Sequence, residues 1–503
     1  MLSKSRYTTY CQCPKALWLK MFKPEVVAPA DETRFKIGNQ VGDLAMGLFG
    51  DFVEVTINKD DGSLDLPAMI DKTTQCIADG TENIAEASFS WNDNYCAVDI
   101  LHKTADGWAI YEVKSSTGSD DPKKNTRSIL QKYAYDIAYQ KYVLDNCGLH
   151  VTGTYLVRLN SAYVRGEQLD MKHLFHITDM AELVAEEYEV IAAKVKAAQA
   201  ILGEKDEPVL AIGPQCKKPY TCGFLDYCRG ELPENSVFDL YGTTFAKKVE
   251  LFKAGKVSLS DLEPDDARNL IQEIQLSTYL MGEEIDKGGI AKFLKENIRY
   301  PLYFLDFETV QYAIPIFKDS KPYQQIPFQY SLHYIDAEGG ELKHKEFLGD
   351  GVHDPRRALA EQLVADIPLG ACTTVYNKTF ECGRLKELAQ LYPDLAAHLL
   401  DIHDHIVDFL VPFRKGYFYK ETMRGSFSIK KVLPALFPDD QELDYHNLKG
   451  GVQNGNDAMT VYPKMAEMTP DKRADTRQAL LEYCGLDTYA MVKIWEKLME
   501  VSD

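Results

Sequence analysis

The chain has 503 residues, a 45% hydrophobic share and a formal net charge of −20 at pH 7. That length favours two or more domains, with material for packed cores. The acidic balance argues against non-specific wrapping of nucleic acid, and the lack of any run of about 18 apolar residues argues against a membrane span. The balance leaves room for a nuclease, whose site is made of acids and whose bound metals reverse the local field. The start, Met1-Leu2-Ser3-Lys4-Ser5-Arg6, is basic but has no apolar segment after it, so no signal peptide and a cytoplasmic address are expected. In a reducing compartment the 11 Cys are free thiols, metal ligands or catalytic groups rather than disulfides.

Residues 1–235 read as mixed α/β. Strands are predicted at 87–92, 95–101 and 108–114, with Asp106-Gly107 turning into the third. A helix over 126–145 ends before Gly148, and a further strand covers 150–158. Asp99 falls in the second strand, and Glu112 and Lys114 alternate on the third, so the latter two face one way. An Asp and a Glu can hold Mg²⁺, while a Lys steers the hydrolytic water and stabilises phosphorane charge. Gln131 and Tyr135 are four apart on the helix and share a face. Glu86 is a further candidate, with a surface acid as its plain alternative.

With Asp99 before and Gln-x-x-x-Tyr after, this set resembles the PD-(D/E)XK nuclease superfamily, in its RecB-like branch. The resemblance implies a restriction-endonuclease-like fold, with Asp99 and Glu112 as Mg²⁺ or Mn²⁺ ligands. It also implies that Gln131 and Tyr135 contact nucleic acid or order the site. That branch usually carries a His four residues after a Gly on an N-terminal helix. This chain has Gly42 there with Asp43 next, so the ligand is missing unless Asp43 replaces it.

Cys216, Cys222 and Cys228 are evenly spaced with aromatics between them, which suits a metal or cluster site. Four thiolates are needed, and one from the N-terminus completes the set. The pattern resembles iron–sulfur nucleases of the CRISPR-associated and AddB-like type, in which one Cys before the core and three after it hold a [4Fe–4S] cluster. That resemblance selects Cys13, which precedes Pro14, with Cys11 as the alternative. The downstream spacing is a variant, since the family's first two are usually closer. Zn²⁺ is the other filling. Joining ends about 200 residues apart would remove on the order of 4–5 kcal/mol of freedom from the unfolded chain.

Residues 236–296 are charged and helix-like and are expected to form a connector. From 297 on, the order is strand 303–307, strand 328–335, a Gly339-Gly340 turn, strand 342–347, helix 355–365, strand 373–376, then helices. In the first of these strands Asp306 and Glu308 sit two apart and share a face. A core strand rarely gives one face to two acids unless a divalent cation is their partner. Glu381 follows a later strand, and Tyr483 and Asp487 share a helical face. One carboxylate from each later segment can join the strand pair around two metals, with Tyr483 orienting water. Ser428-Ile429-Lys430-Lys431 opens a helix whose amides and lysines suit phosphate, with a capped helix and exposed lysines as the equal alternative.

This ordered set resembles the DEDD family of 3′-to-5′ exonucleases, in its tyrosine subclass, over residues 297–503. The resemblance implies an RNase H-like fold, with Asp306, Glu308, Glu381 and Asp487 on the metals and Tyr483 on the water. One departure is Glu381, where the family usually has Asp; Asp401, Asp404 and Asp408, expected on a following helix, are candidate substitutes. Together the two resemblances imply a two-module DNA nuclease acting on single strands or ends, in repair or in processing of foreign DNA. The alternatives are a nucleic-acid-binding scaffold with a degenerate module, or an RNA exonuclease. A helicase or recombination partner is implied only by analogy, since the chain has no Gly-x-x-x-x-Gly-Lys-[Ser/Thr] loop.

Overall fold

The structure, a computed structural model, describes residues 1–29, 32–121, 123 and 125–502. It is mixed α/β and divides into two compact units. The first comprises Met1–Glu231 and Tyr312–Tyr323, and the second Leu232–Gln311 and Gln324–Asp503. The segment 236–296, expected as a connector, is counted with the second unit. Among the described residues, no helix is long and apolar enough to cross a membrane.

The first unit is built on a seven-stranded sheet. Its strands are β1 (Leu2–Ser3), β2 (Val53–Glu54), β3 (Asn83–Trp91), β4 (Asn94–Lys103), β5 (Trp108–Gly118), β6 (Val151–Asn160) and β7 (Phe175–Asp179). The order is β2-β3-β4-β5-β6-β7, with β1 parallel to part of β4. β3, β4 and β5 form an antiparallel meander, whereas β5 and β6 are parallel. A parallel pair needs a crossover, and the helix Arg127–Asn146 supplies it. Leu130, Tyr133, Ala134, Ile137 and Ala138 recur at helical spacing on its buried face and join the sheet's core.

The second unit holds β8 (Glu283–Ile285), β9 (Leu302–Val310), β10 (Ile326–Ile335), β11 (Lys343–Leu348), β12 (Cys372–Val375), β13 (Ile406–Asp408) and β14 (Phe418–Lys420). Five form one sheet in the order β11-β10-β9-β12-β13, and β14 pairs with β8 apart from it. β9, β10 and β11 run antiparallel, while β12 and β13 are parallel to β9 and to each other.

Strand alternation sorts the residues of β9. Tyr303, Leu305 and Phe307 point into a core with Leu359, Leu363, Leu385 and Leu399 from the helices on one face. Phe304 and Asp306 point the other way, where the long helix Pro470–Ser502 packs: Phe304 meets Trp495 at 5.9 Å between ring centres, and Cys484 lies 3.8 Å from an Asp306 oxygen. One strand thus serves an apolar core on one side and an acidic cleft on the other. Leu305→Ala should cost about 2–5 kcal/mol in denaturant unfolding. Asp306→Asn, one residue on, should cost none and add stability without metal. Equal losses would contradict this assignment of faces.

Candidate functional site

The cleft on the second face of β9 gathers three acids. One carboxylate oxygen from each of Asp306, Glu308 and Asp487 lies within 4.8 Å of the other two. Glu308 and Asp487 are buried and Asp306 is half-buried. Burial raises the Asp306 pKa well above the usual range, and the charges of Asp487, Glu308 and Glu381 push it further. Glu308 rises to about 8 through burial and then Asp487. Burial lifts Asp487 to about 6, against the hydroxyls of Tyr445 and Tyr483 that donate to it. The Tyr445 hydroxyl stands 2.6 Å from Asp487 Oδ1. Lys430 is the cation that favours ionisation of Glu308 and Asp487. Its ammonium lies over the rings of Tyr445 and Tyr483, at 5.5 and 5.9 Å. The open volume is about 440 Å³, with Gln311, Phe380, Gly455 and Asn456 on its walls. Gly455 borders the acids closely: a Cβ there would be in ordinary contact with Glu308 Oε2 at 3.4 Å and with the Tyr483 hydroxyl at 3.9 Å.

Glu381 opens the helix Thr379–Leu391 and is buried beside the triad. Burial, with Asp408 adding, raises its pKa to about 8. Its Oε2 is buried with no hydrogen-bond partner. The longer side chain therefore brings a free carboxylate oxygen into reach of Asp306, but not into the 4.8 Å group. The candidate substitutes fare differently. Asp408 lies on β13, not on a helix, and its Oδ1 accepts from the amides of Asn377 and Leu410. Asp401 accepts from Gly370, and Asp404 pairs with His403.

In the first unit, Asp99, Glu112 and Lys114 also converge. Asp99 Oδ2 accepts from the amide of Val113 at 2.7 Å, which locks the two strands at this point. Lys114 donates to Glu112 Oε1 and, at 2.9 Å, to Asp136. Lys4 lies 3.3 Å from Asp99 and 3.1 and 3.2 Å from the two Glu112 oxygens. Burial alone would raise the Glu112 pKa, but the ammoniums of Lys114 and Lys4 outweigh it and hold the carboxylate ionised. Glu86 adds a further acid, raised to about 7 by burial and then Asp99. It has a φ of 56°, rare for a residue with a Cβ and a mark of a constrained site.

The crossover helix presents Asp136 and Gln140 here, not Gln131 and Tyr135. Gln140 donates to Glu112 at 2.6 Å. Gln131 and Tyr135 are half-buried on other faces, and Lys194 lies 5.0 Å from the Tyr135 ring centre. The sequence did carry a signal for the pair that faces Glu112: two polar residues four apart on a stripe otherwise filled by Tyr133, Ile137 and Leu144. Asp43 is exposed on its helix.

The thiols sort as well. Cys13 caps the helix Pro14–Phe22 and packs with Phe224, Cys222 and Cys228. Burial raises its pKa, against the amides of Ala16 and Lys15, and Cys216 is close enough to add to the rise. Cys228 is raised to about 11 by burial, with Lys15 opposing and the other three thiols adding. Cys11 lies elsewhere, beside Tyr7, Lys194 and Glu187.

A family described as a domain of unknown function (DUF2779) matches residues 303–428, which takes in Asp306, Glu308 and Glu381 and ends before the Lys430 helix, Tyr483 and Asp487. The chain is similar to an uncharacterized protein of Mycoplasma pneumoniae, the MG366 homolog. The identity is 29% over 238 residues, which is 42% of this chain and 34% of that protein. It is also 29% identical over 191 residues to the uncharacterized protein UU173 of Ureaplasma parvum, 36% of this chain and 26% of that one. The chain thus spans about a third or less of these relatives.

Raised carboxyl pKa values set a pH dependence. The folded chain holds protons on Asp487, Glu308 and Glu381 that the unfolded chain releases near about 4. The resulting stability is full below that point and is lost as pH rises through about 6 and then about 8. Without divalent cations, thermal unfolding should therefore fall to lower temperature between pH 4.5 and 8. Mn²⁺ should restore it most at pH 8, by about 2.7 kcal/mol at about 100 times its Kd. A Mn²⁺ effect equal at both pH values, or one kept by Asp306→Asn, would count against a cation among these acids.

Proposed function

We propose that the second unit hydrolyses phosphodiester bonds of nucleic acid with divalent cations, trimming DNA single strands or ends from the 3′ side as DEDD exonucleases do. The carrying observation is the triad of Asp306, Glu308 and Asp487 within 4.8 Å, buried, with Tyr483 beside it. The donors are hard oxygens, and Glu381 adds a buried oxygen with no other partner, which fits Mg²⁺ or Mn²⁺. Bound cations supply Lewis-acid polarisation of the phosphate and a lowered pKa for water. The protein's own groups supply the rest. Burial and the adjacent acids hold the Tyr483 phenol protonated, so it positions water by hydrogen bonding rather than acting as a base. Lys430, on the first turn of the helix Ile429–Leu436, attracts the phosphate that the acids repel. On this reading the first unit binds nucleic acid and carries a [4Fe–4S] cluster on Cys13, Cys216, Cys222 and Cys228. Cys13, Cys216, Cys222 and Cys228 are near enough for their charges to act on one another, and Zn²⁺ is the other filling such thiols can take.

Single strands labelled at either end, as DNA and as RNA, test the hydrolysis with Mn²⁺. The 3′ end of DNA should shorten, and Asp306→Asn should abolish this. Tyr483→Phe should lower kcat by about 10²-fold and keep Mn²⁺ binding. Binding without shortening of either polymer would leave a scaffold instead.

Iron and sulfide analysis under anaerobic handling tests the cluster. Cys13→Ser should lose the iron and the brown colour, and Cys11→Ser should keep both. A colourless zinc protein would replace the cluster.

A further inference from the structure

The acid pocket of the first unit does not fit a divalent cation as it stands. Each of the four oxygens of Asp99 and Glu112 already accepts a hydrogen bond. Asp99 Oδ1 takes Lys4, and Oδ2 takes the Val113 amide. Glu112 Oε1 takes Lys4 and Lys114, and Oε2 takes Lys4 and Gln140. The Lys4 ammonium lies between the two carboxylates, 3.1–3.3 Å from three of those oxygens. A Mg²⁺ ion bridging them would need its oxygens at about 2.0–2.1 Å, in the space the ammonium fills.

Lys4 is held there by the fold. Leu2 and Ser3 pair with Asn94 and Tyr95 of β4, beside Asp99 on the same strand. Leu2 is fully buried, and its carbonyl accepts from Tyr139 at 2.6 Å. Lys4 then starts the helix Lys4–Gln12, whose Ser3 side chain accepts from the Arg6 amide. That helix is anchored through Tyr7, stacked on Tyr139 at 4.9 Å and bonded to Glu187. The strand before Lys4 and the helix after it are both anchored, so the ammonium has a built seat.

We propose that Lys4 is the resident counter-ion of the Asp99–Glu112 pair and closes this pocket to divalent cations. With Lys4 seated, the first unit is not a metal-dependent hydrolase, and the pocket is a salt-bridge network joining the N-terminus to the sheet. The inference rests on the first unit alone and is independent of hydrolysis in the second.

The test is Mn²⁺ binding by electron paramagnetic resonance on the full chain with its second-unit triad silenced (Asp306→Asn, Glu308→Gln, Asp487→Asn). With Lys4 present, no Mn²⁺ should bind that Asp99→Asn removes. Lys4→Met keeps the length of the side chain and removes its charge. It should gain one site, at least about tenfold tighter in Kd, that Asp99→Asn then abolishes. Lys4→Arg should stay closed. Because Lys4→Met removes one of the two ammoniums that balance these acids, its unfolding temperature should fall, and Mn²⁺ should raise it again in this variant only. Mn²⁺ held at Asp99 with Lys4 in place overturns the proposal, as does a folded Lys4→Met chain that gains no site.

Discussion

The repulsion among Asp306, Glu308, Asp487 and Glu381 is the interaction on which the second unit turns. In water these groups would ionise near pH 4 and lie apart. Here β9, the helix Thr379–Leu391 and the long C-terminal helix hold them together out of water. The cost of ionising appears directly as pKa values raised to about 8 for Glu308 and Glu381. Protonation relieves this repulsion, and on the proposed function a divalent cation would relieve it in place of the protons. Tyr445 and Tyr483 donate to Asp487, the triad member from the long helix, and fix its direction without neutralising it.

The first unit meets the same problem with opposite means. Asp99, Glu112 and Asp136 are surrounded by Lys4, Lys114 and Gln140. Two ammoniums among three carboxylates leave little charge to balance, so Glu112 stays ionised while fully buried. Two pockets built of similar acids therefore differ in what they can admit. The difference lies in cations that belong to the chain, not in the acids.

Much of this was legible in the sequence because it rests on short-range periodicities. Two-residue alternation set Asp306 with Glu308 and Glu112 with Lys114, and four-residue spacing set Tyr483 with Asp487. The meander β3–β4–β5 and the crossover helix were likewise readable, since turn residues and apolar runs bound them. What escaped depends on contacts between distant segments. Lys4 reads as one more basic residue of an N-terminal stretch until β1 pairs with β4. Tyr445 lies in a loop-rich region with no period, yet reaches Asp487. Asp136 and Gln140 were passed over for Gln131 and Tyr135 because a helix of 20 residues offers several polar pairs at spacing four. Only the tilt of that helix on the sheet decides which pair faces Glu112.

A chain with a net charge of −20 meets a polyanion only where its own field is reversed. Surface lysines tied into i,i+3 and i,i+4 pairs, such as Lys141 with Asp145 and Lys497 with Glu500, contribute little to that reversal. Lys4 and Lys114 are likewise spent on internal carboxylates. Lys430 differs: among the described residues no carboxylate pairs with its ammonium, which lies 3.5 Å from the Gln453 carbonyl and over two aromatic rings. Cations bound among Asp306, Glu308 and Asp487 would add positive charge at the same spot. On this account the second-unit cleft attracts phosphate only when its cations are present, so metal occupancy and substrate binding are one linked event rather than two independent ones.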